Sequence, residues 1–102
     1  MDTNSIDIIG ERNDGGIDLF IIIEDSIEKS EELQTQLLDK IENYLIYINS
    51  SNFKDDFPSI LIDDVCIMLK FAIKPSDRLQ KWLYEIKLWV NTNGVNFSFI
   101  TN

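Results

Sequence analysis

The sequence predicts an α+β fold: a two-layer sandwich with a four-stranded mixed sheet and two helices on one face, in the order ββαβαβ. Three observations carry this. Apolar residues recur with period two in four segments, as half-buried strands require. Two longer segments each carry a single apolar stripe at helical spacing, so each helix has one face to bury and both can cover the same side of the sheet. The chain has 102 residues, 44% of them hydrophobic, and contains no repeat or low-complexity tract, which fits one domain over residues 1–102 with one core.

The first element is a hairpin. Ser5 to Gly10 alternates weakly, Asn13-Asp14-Gly15-Gly16 is turn chemistry, and Ile17 to Glu24 is rich in Ile and Phe. Asp25 and Glu28 stand where a helix cap and its N3 acid belong. Leu33, Leu37, Ile41, Tyr44 and Ile48 then recur at helical spacing, so the first helix is expected from about Ser26 to Ser50, stopping at the breaker cluster Asn49-Ser50-Ser51-Asn52. A polar connection containing Pro58 follows, from Ser51 to Asp64.

Val65 to Lys74 reads as a strand, with Val65, Ile67, Leu69, Phe71 and Ile73 pointing one way and Cys66, Met68, Lys70, Ala72 and Lys74 the other. Pro75 closes it, and Ser76 is the expected N-cap of a second helix with Leu79, Leu83, Ile86 and Val90 as its inner stripe and Trp82 and Trp89 on its shoulder. Tyr84 and Leu88 fall opposite that stripe. Gly94 is placed as a C′ glycine, and Val95 to Thr101 is a last strand.

Alternation assigns Ile6, Ile8, the odd residues of 17–23 and 65–71, Val95, Phe97 and Phe99 to the helix-covered face. The opposite face then carries Asp7, Asp18, Glu24, Lys70, Lys74, Asn96 and Ser98, but also Ile9, Phe20, Ile22, Met68 and Ile100. A solvated face rarely groups that many apolar residues. Either the loop from Ser51 to Asp64 folds over them, or they form a contact face for a partner or a second copy.

Eighteen acids, nine bases and no histidine give a net charge of −9. That balance opposes binding to nucleic acid or an anionic membrane, both of which reward basic groups, and favours a basic partner. The charge is also local: residues 1–64 hold 16 acids and 4 bases, a net of −12, whereas residues 65–102 hold 2 acids and 5 bases, a net of +3. Glu28, Glu31, Glu32, Asp39 and Glu42 lie on the outward arc of the first helix, and Asp55, Asp56, Asp63 and Asp64 follow in the loop. A solvated helix face usually mixes signs, and only Lys29 and Lys40 are near the acids of this one; with the loop acids added, the nine form the expected partner-binding set.

No catalytic set is expected. Without histidine there is no Ser-His-Asp or Cys-His arrangement, and a single cysteine, Cys66, supplies neither a disulfide nor a zinc cluster. The pairs Asp55-Asp56 and Asp63-Asp64 lack the ladder of a calcium loop and read as solvated acids; Asp14-Gly15-Gly16 lacks the lysine of a phosphate loop and joins strand to strand. No cofactor or metal is expected. The acidic, polar N-terminus is unlike a signal peptide, and no apolar run is long enough to span a bilayer, which points to a cytoplasmic protein.

The segments GGIDLFIIIEDSIE (15–28), LQTQLLDKIENYLIYINSSNFKDDFP (33–58), CIMLKFAIKPSDRLQKWLYEIKLW (66–89) and NGVNFSFI (93–100) follow one another in a progression that resembles a family of small bacterial α/β domains without assigned chemistry. Small acidic single-domain proteins of this kind resemble the immunity proteins of bacterial toxin systems, including contact-dependent growth inhibition. The resemblance implies a cytosolic protein that neutralises a cognate toxin, often a basic nuclease, by covering its active site. It fixes no residue role; the acidic positions are inferred from charge alone. A homo-oligomeric interaction domain that buries Ile9, Phe20, Ile22, Met68 and Ile100 against a second copy is the alternative.

Overall fold

Gly15 and Gly16 begin the topology. A computed structural model of the chain describes residues 1–101. Strand β1 (Ile8–Glu11) turns through Arg12–Gly16 into β2 (Ile17–Ile23), antiparallel to it. Gly15 takes φ +90°, a conformation costly for any residue with a side chain, and Arg12 N–H bonds the Gly16 carbonyl at 2.8 Å to close the turn. A Cβ on Gly16 would lie 2.6 Å from the Asp64 carbonyl oxygen and inside the Arg12 guanidinium, so this position excludes every other residue. That guanidinium staples the turn: it binds Asp14 at 3.1 Å, Asp18 at 2.7 Å and the Asp64 carbonyl at 2.9 Å.

The chain then crosses through helix α1 (Glu31–Ile48) and the short helix α2 (Ser51–Asp56) to β3 (Val65–Phe71), and through α3 (Asp77–Thr92) to β4 (Asn96–Thr101). The sheet order is β1-β2-β3-β4, with β2, β3 and β4 mutually parallel. The fold is therefore the α+β arrangement expected, a four-stranded mixed sheet in the order ββαβαβ, with one short helix added. Ile17, Leu19, Ile21 and Ile23 of β2 and Val65, Ile67, Leu69 and Phe71 of β3 share one buried cluster with Leu37, Ile41, Tyr44 and Ile48 of α1 and Leu79, Leu83, Ile86 and Val90 of α3. Both long helices cover the same side.

All three helices open on a serine. The hydroxyls of Ser30, Ser50 and Ser76 accept from Leu33, Phe53 and Leu79 N–H at 3.1, 3.3 and 3.2 Å. Ser76 is the cap expected. The first helix starts five residues later than the Asp25–Glu28 signature suggests, because Ile27 is buried in the core and holds the preceding turn, while Gln34 Nε2 bonds the Ile27 and Glu28 carbonyls. The expected polar loop after Ile48 is also partly helical. Ser50 caps α2, and Phe53 is buried edge-on to Tyr47 at 5.5 Å and beside Phe57 at 5.4 Å. Gly94, with φ +78°, follows the α3 C-cap Asn93 as a C′ glycine.

Two expected strands shift. β3 ends at Phe71 and Ile73 is exposed, since β2 offers no partner beyond Ile23 and Pro75 draws the chain toward the α3 cap. In β1 the register pairs Ile8 with Phe20 and Ile9 with Leu19, so Ile9 lies on the helix side and Ile8 on the other. The expected assignment of Ile9 to the open face is thereby reversed: a one-residue slip flips every side chain of a strand.

Candidate functional site

On α1, Glu31, Glu32, Asp39 and Glu42 fall within an arc of about 100° at 3.6 residues per turn, and all are exposed. Opposite them are the buried Leu37, Ile41, Tyr44 and Ile48. Glu31 and Glu32 also sit in the first turn, where a carboxylate favours the helix dipole. Asp55 and Asp56 are exposed on α2, and Tyr47 Oη donates to Asp56 at 2.7 Å. Asp63 and Asp64 are exposed in a 3-10 turn before β3, tied to the sheet end through their carbonyls, which accept from Asn96 and Arg12. Glu28 accepts a hydrogen bond from the Ser76 hydroxyl at the start of α3. Of the nine acids, four thus form an arc on α1, Asp55 and Asp56 lie on α2, and Glu28 and the Asp63-Asp64 pair are set apart.

Lys40 decides the electrostatics of that arc. It is only 1% exposed, and its Nζ lies 2.6 Å from Asp7 Oδ1 and 2.7 Å from the Asp2 carbonyl oxygen. Asp7 Oδ2 accepts from Ile22 N–H at 2.9 Å, and Tyr44 Oη donates to the Phe20 carbonyl at 2.7 Å while accepting from Asp7 N–H at 3.1 Å. Asn43 binds the Thr3 carbonyl at 2.6 Å. One side of α1 therefore clamps the N-terminal segment and directs its own cation inward. Among the described residues the ion pairs are Arg12–Asp14, Arg12–Asp18 and Lys40–Asp7, and none of the nine acids belongs to one.

The other sheet face carries Ile8, Phe20, Ile22, Met68 and Ile100, with Gly10, Asp18, Cys66, Lys70, Asn96 and Ser98 between them. Ile8 is 53% and Ile100 43% exposed; Phe20, Ile22 and Met68 are half-buried. The connection from Ser51 to Asp64 does not cover them. Phe53, Phe57 and Ile60 hold it against the helix-side core. The acidic arc and this apolar face consequently lie on opposite sides of the sheet.

Three buried or part-buried groups hold their protons more tightly than usual. Burial pushes the Cys66 thiol up to about 11, and nearby Asp18 acts in the same direction. Burial likewise pushes the Tyr44 and Tyr47 hydroxyls up to about 12. A cleft of about 280 Å³ at the end of β2 is lined by Asp7, Glu24 and Asp25, but Asp7 is held by Lys40 and Ile22 N–H. Among the described residues no three His, Cys, Asp or Glu side chains converge on a metal position, and no helix is long and apolar enough to cross a membrane.

Residues 1–102 match a family of unknown function, DUF6572. The chain belongs to that family. Comparison with curated proteins and with solved structures yields no match. The description of DUF6572 assigns no activity.

Two features of this DUF6572 chain escape a reading by charge and alternation. Lys40 counts as a neighbour of the acids by sequence, yet it is buried at the edge of the inner stripe beside Tyr44, held by partners in the N-terminal segment that the helical spacing does not reveal. Ile46 is 62% exposed and shares the acidic arc, four residues after Glu42; its place outside the inner stripe is legible from the same spacing.

Proposed function

We propose that the protein is an immunity protein that binds a cognate basic bacterial toxin domain, a nuclease in its simplest form, and covers the surface with which that domain grips phosphates. The observation that carries this reading is the α1 arc: Glu31, Glu32, Asp39 and Glu42 are exposed on one side of one helix, and the neighbouring Lys40 faces inward. Such an arc steers a basic surface in at raised on-rates and pairs with its Lys and Arg groups. Ile46 supplies an apolar point inside the arc, the kind of group around which a desolvated interface centre forms. The protein acts in the cytoplasm of the producing cell, with no nucleic acid, membrane or cofactor involved and no reaction catalysed.

The test is co-expression with the toxin domain encoded immediately upstream. Survival of the cells and co-purification of a 1:1 complex are expected. Glu32→Lys/Asp39→Lys/Glu42→Lys should lower the association rate at least about tenfold and flatten its salt dependence. Continued killing with no complex, or a triple variant that binds like the wild type, refutes the proposal. The homo-oligomeric alternative, burial of the second sheet face against another copy, is favoured by a separate observation, the exposed Ile8 and Ile100 beside Phe20, Ile22 and Met68 on that uncovered face.

A further inference from the structure

The sheet order leaves β4 at an edge. Its six residues span about 20 Å, and alternate residues turn their N–H and C=O away from β3. Edge strands are ordinarily guarded by a lysine, a proline, a bulge or short length. β4 reads Asn-Phe-Ser-Phe-Ile-Thr, with no charge and no proline, and its register on β3 runs unbroken from Cys66–Asn96 to Phe71–Thr101. The β1 edge is guarded. It is four residues long, ends on Glu11, and the Asp7 carboxylate occupies the Ile22 N–H beyond it.

Beside the β4 edge, α3 presents Tyr84, 60% exposed, and Leu88, 51% exposed, one turn apart. Between helix and strand runs a groove of about 270 Å³ lined by Leu83, Phe97 and Phe99, with Tyr84 and Lys87 beside them. Ile100 adds exposed apolar surface on the other side of the same strand.

We propose that the β4 edge and the Tyr84–Leu88 flank of α3 form a self-association surface whose occupant is a second copy of this chain, paired β4 to β4 antiparallel about a two-fold axis. A strand that meets its own copy in this way matches its hydrogen-bonding pattern by symmetry. Charge opposes this contact least. Residues 1–64 carry −12, so association through α1 or β1 sets a large like charge against itself, whereas the β4 side belongs to the +3 segment and β4 itself carries no charge. α3 stands between α1 and the edge. With helices packed 8–10 Å apart, the two acidic arcs of a β4-paired dimer are separated by on the order of 30 Å, several times the screening length of ~8 Å. The bare sheet face is less suited, because Asp18, Lys70, Asn96 and Ser98 interrupt it. This inference is independent of the toxin reading, and the dimer leaves both α1 arcs open.

Sedimentation velocity on the full chain from ~5 μM to ~1 mM tests it, with half-association expected at roughly 10–100 μM for so small a contact. The mass should double from 11.9 kDa with concentration. Ser98→Lys/Tyr84→Lys should stay monomeric throughout, and Ile8→Lys, on the bare face, should dimerise like the wild type. Thermal unfolding of both variants at the lowest concentration reports that they fold, and amide exchange in 96–101 should slow as wild-type concentration rises. A wild type that stays monomeric at ~1 mM overturns the proposal and leaves the edge to an extended peptide of another protein. A dimer broken by Ile8→Lys, or one with unchanged exchange in β4, overturns it equally.

Discussion

Replacing Lys40 with methionine isolates the interaction that turns the cation of α1 inward. Methionine keeps an unbranched stem of similar length and removes the ammonium. The wild-type Nζ is bonded to Asp7 Oδ1 at 2.6 Å and to the Asp2 carbonyl at 2.7 Å. Without it, a carboxylate whose side chain is 23% exposed has no cation, and a carbonyl loses its donor. Removing one partner of a fully buried pair costs about 3–5 kcal/mol. Asp7 keeps some water contact and its bond from Ile22 N–H, so the expected cost is about 2–3 kcal/mol, or a fall in Tm of roughly 10–20 °C for a domain of this size. Urea unfolding followed by the fluorescence of Trp82 and Trp89, alongside circular dichroism, gives the number. Lys40→Met/Asp7→Asn retains an acceptor for Ile22 N–H but carries no unpaired charge, and should be about 1–2 kcal/mol more stable than Lys40→Met alone. A cost below about 0.5 kcal/mol, or a double variant whose losses simply add, would refute a coupled buried pair. It would also undo the account of the arc, because Lys40 would then be free to neutralise it.

Gly16→Ala forces a Cβ against the Asp64 carbonyl and the Arg12 guanidinium, so a loss of at least about 2 kcal/mol by urea unfolding is expected; wild-type stability would mean that the turn yields freely. Tyr44 and Tyr47 hold their protons to about 12, against 10.0 for an ordinary phenol, chiefly because of burial. The unfolded chain ionises first as pH rises, so the stability they contribute is whole below pH 10 and lost on the way to 12. Tm should fall across that window, less so in Tyr44→Phe/Tyr47→Phe; phenolate absorbance rising at pH 10 in folded Tyr84→Phe, which lacks the exposed third phenol, contradicts this. At pH 8 the Cys66 thiol, pushed up to about 11 by burial, should react with iodoacetamide at least ~100-fold more slowly than an unfolded cysteine; labelling at the free-thiol rate shows that β3 is open there.

The layer structure and the inner stripes were legible because they depend on periods that the residues display directly. Leu79, Leu83, Ile86 and Val90, the Ser76 cap and the Gly94 C′ position are local signals with no strong competitor. The misplacements have a common cause: tertiary contacts outweighed a weaker local signal. The Asp25–Glu28 cap lost to Ser30 because Ile27 had to reach the core. The breaker cluster after Ile48 became a hinge between two helices because Ser50 can cap and Phe53 has an aromatic site to fill. In β1, Ile8 and Ile9 are interchangeable by composition, and only the length of the Arg12–Gly16 turn decides which faces Phe20. The acidic arc was legible as a pattern, but its lack of counter-ions was not, since the destination of Lys40 depends on an N-terminal segment more than thirty residues away.

The topology explains why a small acidic chain has two separate surfaces. Crossovers of the nearly universal right hand that step twice in one direction place both helices on one side of the sheet. The order β1-β2-β3-β4 with β2, β3 and β4 parallel has this form. It leaves one face bare and the last strand at an edge, and it sets the first helix, with its carboxylates, inboard of the second. The charge of each segment follows that geometry. Acids concentrate where α1 faces outward, far from the edge, and the strand at the edge is uncharged beside a mildly basic helix. A chain selected only for solubility would gain by placing charge on the exposed edge strand, where self-pairing is the hazard. Here the charge stands elsewhere, which is consistent with an arc kept for a basic partner and an edge left available for a second copy.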